Sequence, residues 1–253
     1  MKILTYNVNG IRAAVNKGLF DFLKKENADV VCLQEIKAEK DQADLAAIEG
    51  LGYKHFWYSA QKKGYSGVAI FSKTEPKHIE YGCKHDDFDA EGRCIRADFD
   101  DFSVLSVYFP SGTTGDIRQE VKYRFLDHFF DYAAELAAQL PGLVVCGDYN
   151  ICHRAIDIHN PAGNKDSSGF LPEEREWMEK WFNSGFTDGF RHLNPEPDWY
   201  TWWSYRANAR ANNKGWRIDY ISVSDHLVPR LAEAKILAEA VHSDHCPMYV
   251  TLK

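Results

Sequence analysis

Leu143-Val144-Val145-Cys146-Gly147-Asp148-Tyr149-Asn150 starts as an unbroken apolar run and ends in a carboxylate and a carboxamide. Apolar residues that do not alternate with polar ones read as a strand covered on both faces. Polar side chains then belong where the strand emerges, and a Gly-Asp-x-Asn exit is either an Asx turn or the edge of a functional site. The arrangement recurs: Ile3-Leu4-Thr5-Tyr6 leads to Asn7 and Asn9, and Val30-Val31-Cys32-Leu33 leads to Gln34 and Glu35. The plain alternatives are turn formation by the asparagines ahead of Gly10 and a helix cap at Glu35. Asp219 lies inside the run Trp216-Arg217-Ile218-Asp219-Tyr220-Ile221, where an ionised side chain needs a partner. Ser243-Asp244-His245 precedes a further apolar run, either as a solvated loop pair or as part of a site. The joint occurrence favours strand ends that converge.

Working outward, strands are expected at residues 2–8, 30–34, 67–71, 103–109, 143–146, 218–223 and 248–252, from their apolar and β-branched content. A helix is expected over residues 119–140, with Phe125, Phe129 and Leu136 among its apolar positions. Another starts at Pro172, with Glu173 and Glu174 at the positive end of its dipole and Trp177 and Trp181 on one face. Many strands and few helices predict an α/β fold of packed sheets flanked by helices. Pattern alone leaves the strand order open.

The 253 residues contain no linker, repeat or low-complexity stretch, which favours a single domain over 1–253. Hydrophobic residues make up 45% and charged residues 26%, enough for a core without metal or disulfide staples. Cys32, Cys83, Cys94, Cys146, Cys152 and Cys246 form no C-x-x-C pair and read as reduced thiols. With no signal-type segment and no membrane-length apolar run, a cytoplasmic protein is expected. A net charge of -7 argues against coating nucleic acid by bulk electrostatics, yet leaves room for a carboxylate site with a local basic surface.

Tyr6-Asn7-Val8-Asn9-Gly10, Leu33-Gln34-Glu35-Ile36-Lys37, Val107-Tyr108-Phe109-Pro110, Gly147-Asp148-Tyr149-Asn150, Gly215-Trp216-Arg217-Ile218-Asp219-Tyr220 and Ser243-Asp244-His245 resemble, in order, the motifs of the exonuclease III class of abasic-site endonucleases. The stretch Asp157-Ile158-His159-Asn160-Pro161-Ala162-Gly163-Asn164-Lys165 is similar to this class rather than to its phosphatase and sphingomyelinase relatives. The resemblance implies a four-layered α/β sandwich, two mixed β-sheets packed face to face between helices, and incision of DNA 5′ to an abasic site to leave a 3′-hydroxyl. It extends to 3′-5′ exonuclease and 3′-phosphatase or phosphodiesterase activity. It implies that Glu35 binds Mg²⁺ or Mn²⁺, with Asn7, Asn9 and Asp244 nearby. Asp148 would orient or deprotonate the attacking water, Asn150 and Tyr108 would hold the phosphate, and His245, fixed by Asp219, would bind a phosphate oxygen. Such chemistry needs a cation and several donors aimed at the charge that develops on phosphorus oxygens.

Between residues 206 and 217 the chain carries Arg206, Arg210, Lys214 and Arg217 and no acidic residue, directly after Trp199-Tyr200-Thr201-Trp202-Trp203. Basic groups beside aromatics suit phosphate contacts and a stacking surface, the plain alternative being a core cluster beside a solvated loop. The resemblance places Trp202, Trp216 and Ile218 around a flipped-out abasic sugar, the nucleotide cheapest to extrude. The implied partner is double-stranded DNA with abasic sites or blocked 3′ ends, engaged by a monomer. Competing readings are a nuclease specialised for 3′ ends and a catalytically silent RNA-binding regulator; the second predicts an eroded site, which this sequence does not have.

Overall fold

A computed structural model describes residues 1–253. The strands are β1 (Lys2–Asn7), β2 (Val30–Gln34), β3 (Lys54–Tyr58), β4 (Val68–Ser72), β5 (His78–Tyr81), β6 (Cys94–Asp98), β7 (Ser103–Tyr108), β8 (Leu143–Asp148), β9 (Phe186–Asp188), β10 (Asp219–Ser224), β11 (Leu231–Ile236) and β12 (Met248–Leu252). The helices are α1 (Ile11–Asn16), α2 (Leu19–Glu26), α3 (Leu45–Gly50), α4 (Asp86–Ala90), α5 (Asp116–Gln139), α6 (Pro172–Phe182) and α7 (Gly189–Leu193). Two six-stranded sheets form, in the orders β11-β12-β1-β2-β4-β3 and β5-β6-β7-β8-β10-β9. Each is mixed, because β1 runs parallel to β2 and β7 parallel to β8 while the other pairs are antiparallel.

The apolar runs do not alternate because both faces of the central strands are covered. In β8, Val144 and Cys146 face the other sheet, whereas Leu143 and Val145 pack under α5 and α6 with Phe125, Phe129, Trp177 and Trp181. In β1, Ile3 points between the sheets while Leu4 and Tyr6 meet α1 and α2 at Ile11, Ala14, Leu19 and Leu23. Helices outside, sheets inside and a core in each gap give the four layers expected. All six cysteines are buried and free, and Trp177 and Trp181 stack with ring centroids 5.5 Å apart. No helix is long and apolar enough to cross a membrane.

Register then collects the strand ends at one edge. The parallel pairs set Asn7 beside Gln34 and Tyr108 beside Asp148. Antiparallel pairing sets Asp219 opposite Asp148, and Thr5 opposite Met248, so the chain entering β12 arrives where β1 leaves. A buried polar clip ties the sheets just behind this edge: Gln34 Nε2 donates to Ser106 Oγ at 2.9 Å, and Ser106 Oγ donates to Leu33 O at 3.0 Å.

Five strands escape the pattern read from the sequence. β3, β5 and β11 lie at or beside sheet edges and carry charged residues such as Lys54, Glu80 and Lys235. β6 alternates, with Arg96 reaching along the strand to Asp98 at 2.8 Å, and β9 has only three residues.

Candidate active site

Three strand exits, after β1, β2 and β8, end in backbone that ordinary residues avoid. Asn9, Glu35, Lys37 and Asn150 all have φ between 45° and 53°. Such strain persists where surrounding bonds over-determine it, and it concentrates at functional positions. Both plain alternatives for the amides are real: Asn9 N donates to Asn7 Oδ1 at 3.0 Å and Asn150 N to Asp148 Oδ1 at 2.8 Å. The turns use one oxygen of each side chain and aim the other end inward.

Asp148, 1% exposed, holds the centre. Its Oδ2 accepts from Asn7 Nδ2 at 2.9 Å, a contact that bridges the two sheets, and from Asn150 Nδ2 at 3.3 Å. His245 Nε2 lies 3.8 Å from the same oxygen, and its Nδ1 donates to Asp219 Oδ2 at 2.9 Å. Burial, reinforced by the charge of Asp219 and opposed by His245, pushes the Asp148 carboxyl up to about 7. Burial works against the imidazolium, yet Asp219 prevails and raises His245 to about 10. A base that titrates near neutrality therefore sits beside a cation. The demand that Asp219 find a partner is met by His245, and Thr201, which the sequence reading did not single out, accepts from Ile218 N and Asp219 N at 3.1 and 3.2 Å.

A second group lies beside the first. The Tyr108 hydroxyl donates to Glu35 Oε1, and the Arg93 guanidinium stands 4.9 Å over the Tyr108 ring while donating to its carbonyl at 2.8 Å. Lys37 Nζ touches Glu35 Oε2 at 2.7 Å and donates to Asn9 Oδ1 at 2.5 Å. Asn9 Nδ2 donates to Asp244 Oδ1 at 2.9 Å, and Trp202 Nε1 to Asp244 Oδ2 at 3.0 Å. The atoms that Glu35, Asn9 and Asp244 could offer a cation are all oxygen, the chemistry that suits a hard divalent ion, and the Glu35 carboxylate already attracts the nearest ammonium. Asp148, Asp219 and His245 also bring ligand atoms within 4.8 Å of one another.

Both groups open into one cavity of about 870 Å³, lined by Trp202, Trp216 and Ile218, by Ser111 and Gly112, and by residues 166–169. The indole rings of Trp202 and Trp216 meet edge to face at 6.0 Å. Gly169 has φ 96°, and a Cβ there would come within 2.9 Å of the Trp216 ring. Behind Asn150, fully buried Lys122 donates to the Asn150 carbonyl at 2.8 Å and pairs with Glu174, whose Oε2 accepts from Gly169 N at 2.6 Å. This bolt between α5, α6 and the cavity wall was invisible in sequence, because a lysine in a helical period reads as surface.

The basic stretch divides. Arg206 and Lys214 are exposed in the loop after the aromatic cluster. Arg210 turns inward, donating to the carbonyls of Ser243, Ala238 and Ala240 and lying 4.6 Å over the Trp203 ring. Arg217 is corrected outright: it has 0% exposure and reaches Asp157 and Asp188, each at 2.7 Å, so its guanidinium cannot meet a DNA phosphate. Tyr200 and Trp203 likewise belong to the core. The stretch from Asp157 thus acts through Asp157, which also binds Arg191 at 2.7 Å.

The sequence matches the model of the Endonuclease/Exonuclease/phosphatase family over residues 4–245. It is 44% identical to the DNA repair nuclease APEX1 of Danio rerio, over 100% of this chain and 82% of that protein. It is 42% identical to an exodeoxyribonuclease of Bacillus subtilis, over 98% of each chain. An AP endonuclease from Archaeoglobus fulgidus superposes with a TM-score of 0.90 at 30% identity, covering 100% of this chain and 99% of that one. The 3′-5′ exonuclease of Neisseria meningitidis superposes with a TM-score of 0.93 at 28% identity, covering both chains completely.

Proposed function

The chain belongs to the endonuclease/exonuclease/phosphatase family, and from that premise we propose how its site works as a DNA repair nuclease that incises the phosphodiester 5′ to an abasic site. The observation that carries the reading is Asp148, buried and bridged across both sheets by Asn7, facing a His245 cation held by Asp219. Asp148 takes the proton of a water molecule that attacks phosphorus. Asn7 and Asn150 fix its rotamer, and Asn150 and Tyr108, which line the cavity, would turn donors from their present partners to an entering phosphate. His245 donates to a non-bridging oxygen, whose negative charge grows as the bond to the 3′-oxygen breaks. The leaving 3′-oxygen takes a proton from solvent, so the products are a 3′-hydroxyl and a 5′-phosphate on the abasic sugar.

Glu35, with Asn9 beside it and Asp244 behind Asn9, would hold Mg²⁺ or Mn²⁺, and such an ion would supply positive charge to offset that of the phosphate. Asn7 has both ends of its amide engaged, so it serves Asp148 rather than a cation. Trp202, Trp216 and Ile218 form the apolar wall against which an extruded abasic sugar packs. Exposed Arg206 and Lys214, in the loop between Trp203 and Trp216, supply phosphate contacts. The Neisseria relative named as a 3′-5′ exonuclease supports processing of 3′ ends as a second activity.

The test is incision of a duplex with one abasic-site analogue, with Mg²⁺ or EDTA, beside a duplex with a recessed 3′-phosphate and the Asp148→Asn and Glu35→Ala variants. Mg²⁺-dependent incision 5′ to the lesion, lost in Asp148→Asn, is expected. Removal of the 3′-phosphate alone would make 3′-end processing the main task, and inertness toward both substrates would point to the regulator.

A further inference from the structure

Resting on the assignment of Glu35 as the cation ligand, we propose that Lys37 is a built-in competitor for that cation: its ammonium neutralises Glu35 and occupies Asn9 until a divalent ion displaces it. Three features make this a constructed arrangement rather than a passing surface pair. Glu35 and Lys37 both have φ 50° and Asn9 has φ 45°, so three residues without the freedom of glycine are held in the left-handed region to bring carboxylate, ammonium and amide oxygen together. The Lys37 backbone is pinned by the loop that leads into β4, its N donating to Ser66 O at 2.9 Å, where Ser66 is itself buried with φ 47°. Asn9 cannot rotate to release its oxygen, since its Nδ2 is committed to Asp244, which in turn holds Trp202.

Electrostatics gives the consequence. Glu35 and Lys37 sum to zero charge at 2.7 Å, so a divalent ion entering beside an unmoved ammonium would gain no net attraction from the pair. The ion must therefore expel Lys37 from both oxygens, which lowers affinity in the free protein. The side chain is one-third exposed, leaving it a path toward solvent and toward the negative backbone of bound DNA. DNA that draws the ammonium away would strengthen ion binding, and by reciprocity the ion would strengthen DNA binding.

Mn²⁺ affinity of the full chain, measured without DNA from the electron paramagnetic resonance signal of free Mn²⁺, tests this directly. Lys37→Met keeps the length of the side chain and removes its charge, and should bind Mn²⁺ roughly 5- to 30-fold more tightly, while Lys37→Arg should not tighten binding. Glu35→Gln should lose the site. Equal or weaker binding in a folded Lys37→Met, with Glu35→Gln still disruptive, overturns the role of Lys37 and leaves the cation site standing. Unchanged binding in Glu35→Gln overturns the cation assignment itself. A near-ultraviolet circular dichroism spectrum matching the parent shows that the variants are folded.

Discussion

Arg217→Met should cost stability without touching the electrostatics of DNA binding. Arg217 is fully buried between Asp157 and Asp188, with its guanidinium 4.5 Å over the Tyr220 ring. Methionine fills most of the volume but strands two buried carboxylates. Asp157 keeps Arg191 at 2.7 Å, whereas Asp188 keeps only the backbone amides of Phe190 and Arg191, both at 3.1 Å. Removing one partner of a buried pair costs about 3–5 kcal/mol. For a chain of this size that lowers Tm by roughly 6–20 °C. The sign of the pH dependence is fixed by Asp157: burial would raise its carboxyl, but Arg217 and then Arg191 hold it below the usual range. In the parent protein this stabilisation is complete above the unfolded carboxyl pKa of about 4 and is lost as pH falls through the depressed folded value. In the variant the carboxyl rises and protonation relieves the buried charge earlier. The stability gap, measured by urea denaturation, should therefore be widest near neutrality and shrink on acidification. A cost below about 1 kcal/mol, or a gap that stays constant on acidification, would refute the buried network.

DNA titrations separate the two kinds of arginine: Arg206→Ala should reduce the slope of log affinity against log salt by about 0.9, and Arg217→Met, folded at low temperature, should leave it unchanged. Asp148→Asn should slow single-turnover incision by about 10² to 10⁴-fold with DNA binding retained. In the parent, the rate should rise with pH through about 7 as the Asp148 carboxyl gives up its proton, so a rate already constant well below that pH would remove Asp148 as the base. Asp219→Asn takes away the charge that raises His245 to about 10, so the imidazole should become neutral near pH 7 by NMR titration and incision should fall roughly 10- to 100-fold. An imidazole that still titrates near 10 would show that Asp219 is not the cause.

The central strands and the polar residues at their ends were legible because a strand covered on both faces admits so few polar residues that each one is informative. Asn7, Glu35, Asp148 and Asn150 stand out against Ile3, Val31 and Val145 for that reason. The edge strands were not legible, since β3 and β5 have one face in solvent and their Lys54 and Glu80 look like loop residues. Contacts between distant segments carry no local signature at all. Asn7 meets Asp148 across 141 positions of sequence, and Lys122 meets Glu174 across 52.

Arg217 is the instructive case, because the sequence did contain the means to place it. It shares one apolar run with Asp219, and for Asp219 burial was inferred and a partner demanded, which His245 supplies. Applied evenly, the same cost of burying a charge demands acids for Arg217, and Asp157 and Asp188 are those acids. The run of basic residues from 206 to 217 suggested a single surface, yet the chain enters the core between Lys214, exposed, and Gly215, buried. Charge composition describes a surface only where the backbone stays on it. Where an apolar strand resumes, a basic residue marks an internal pair, and here that pair lies between Trp216 and Ile218, the two residues that turn to the cavity.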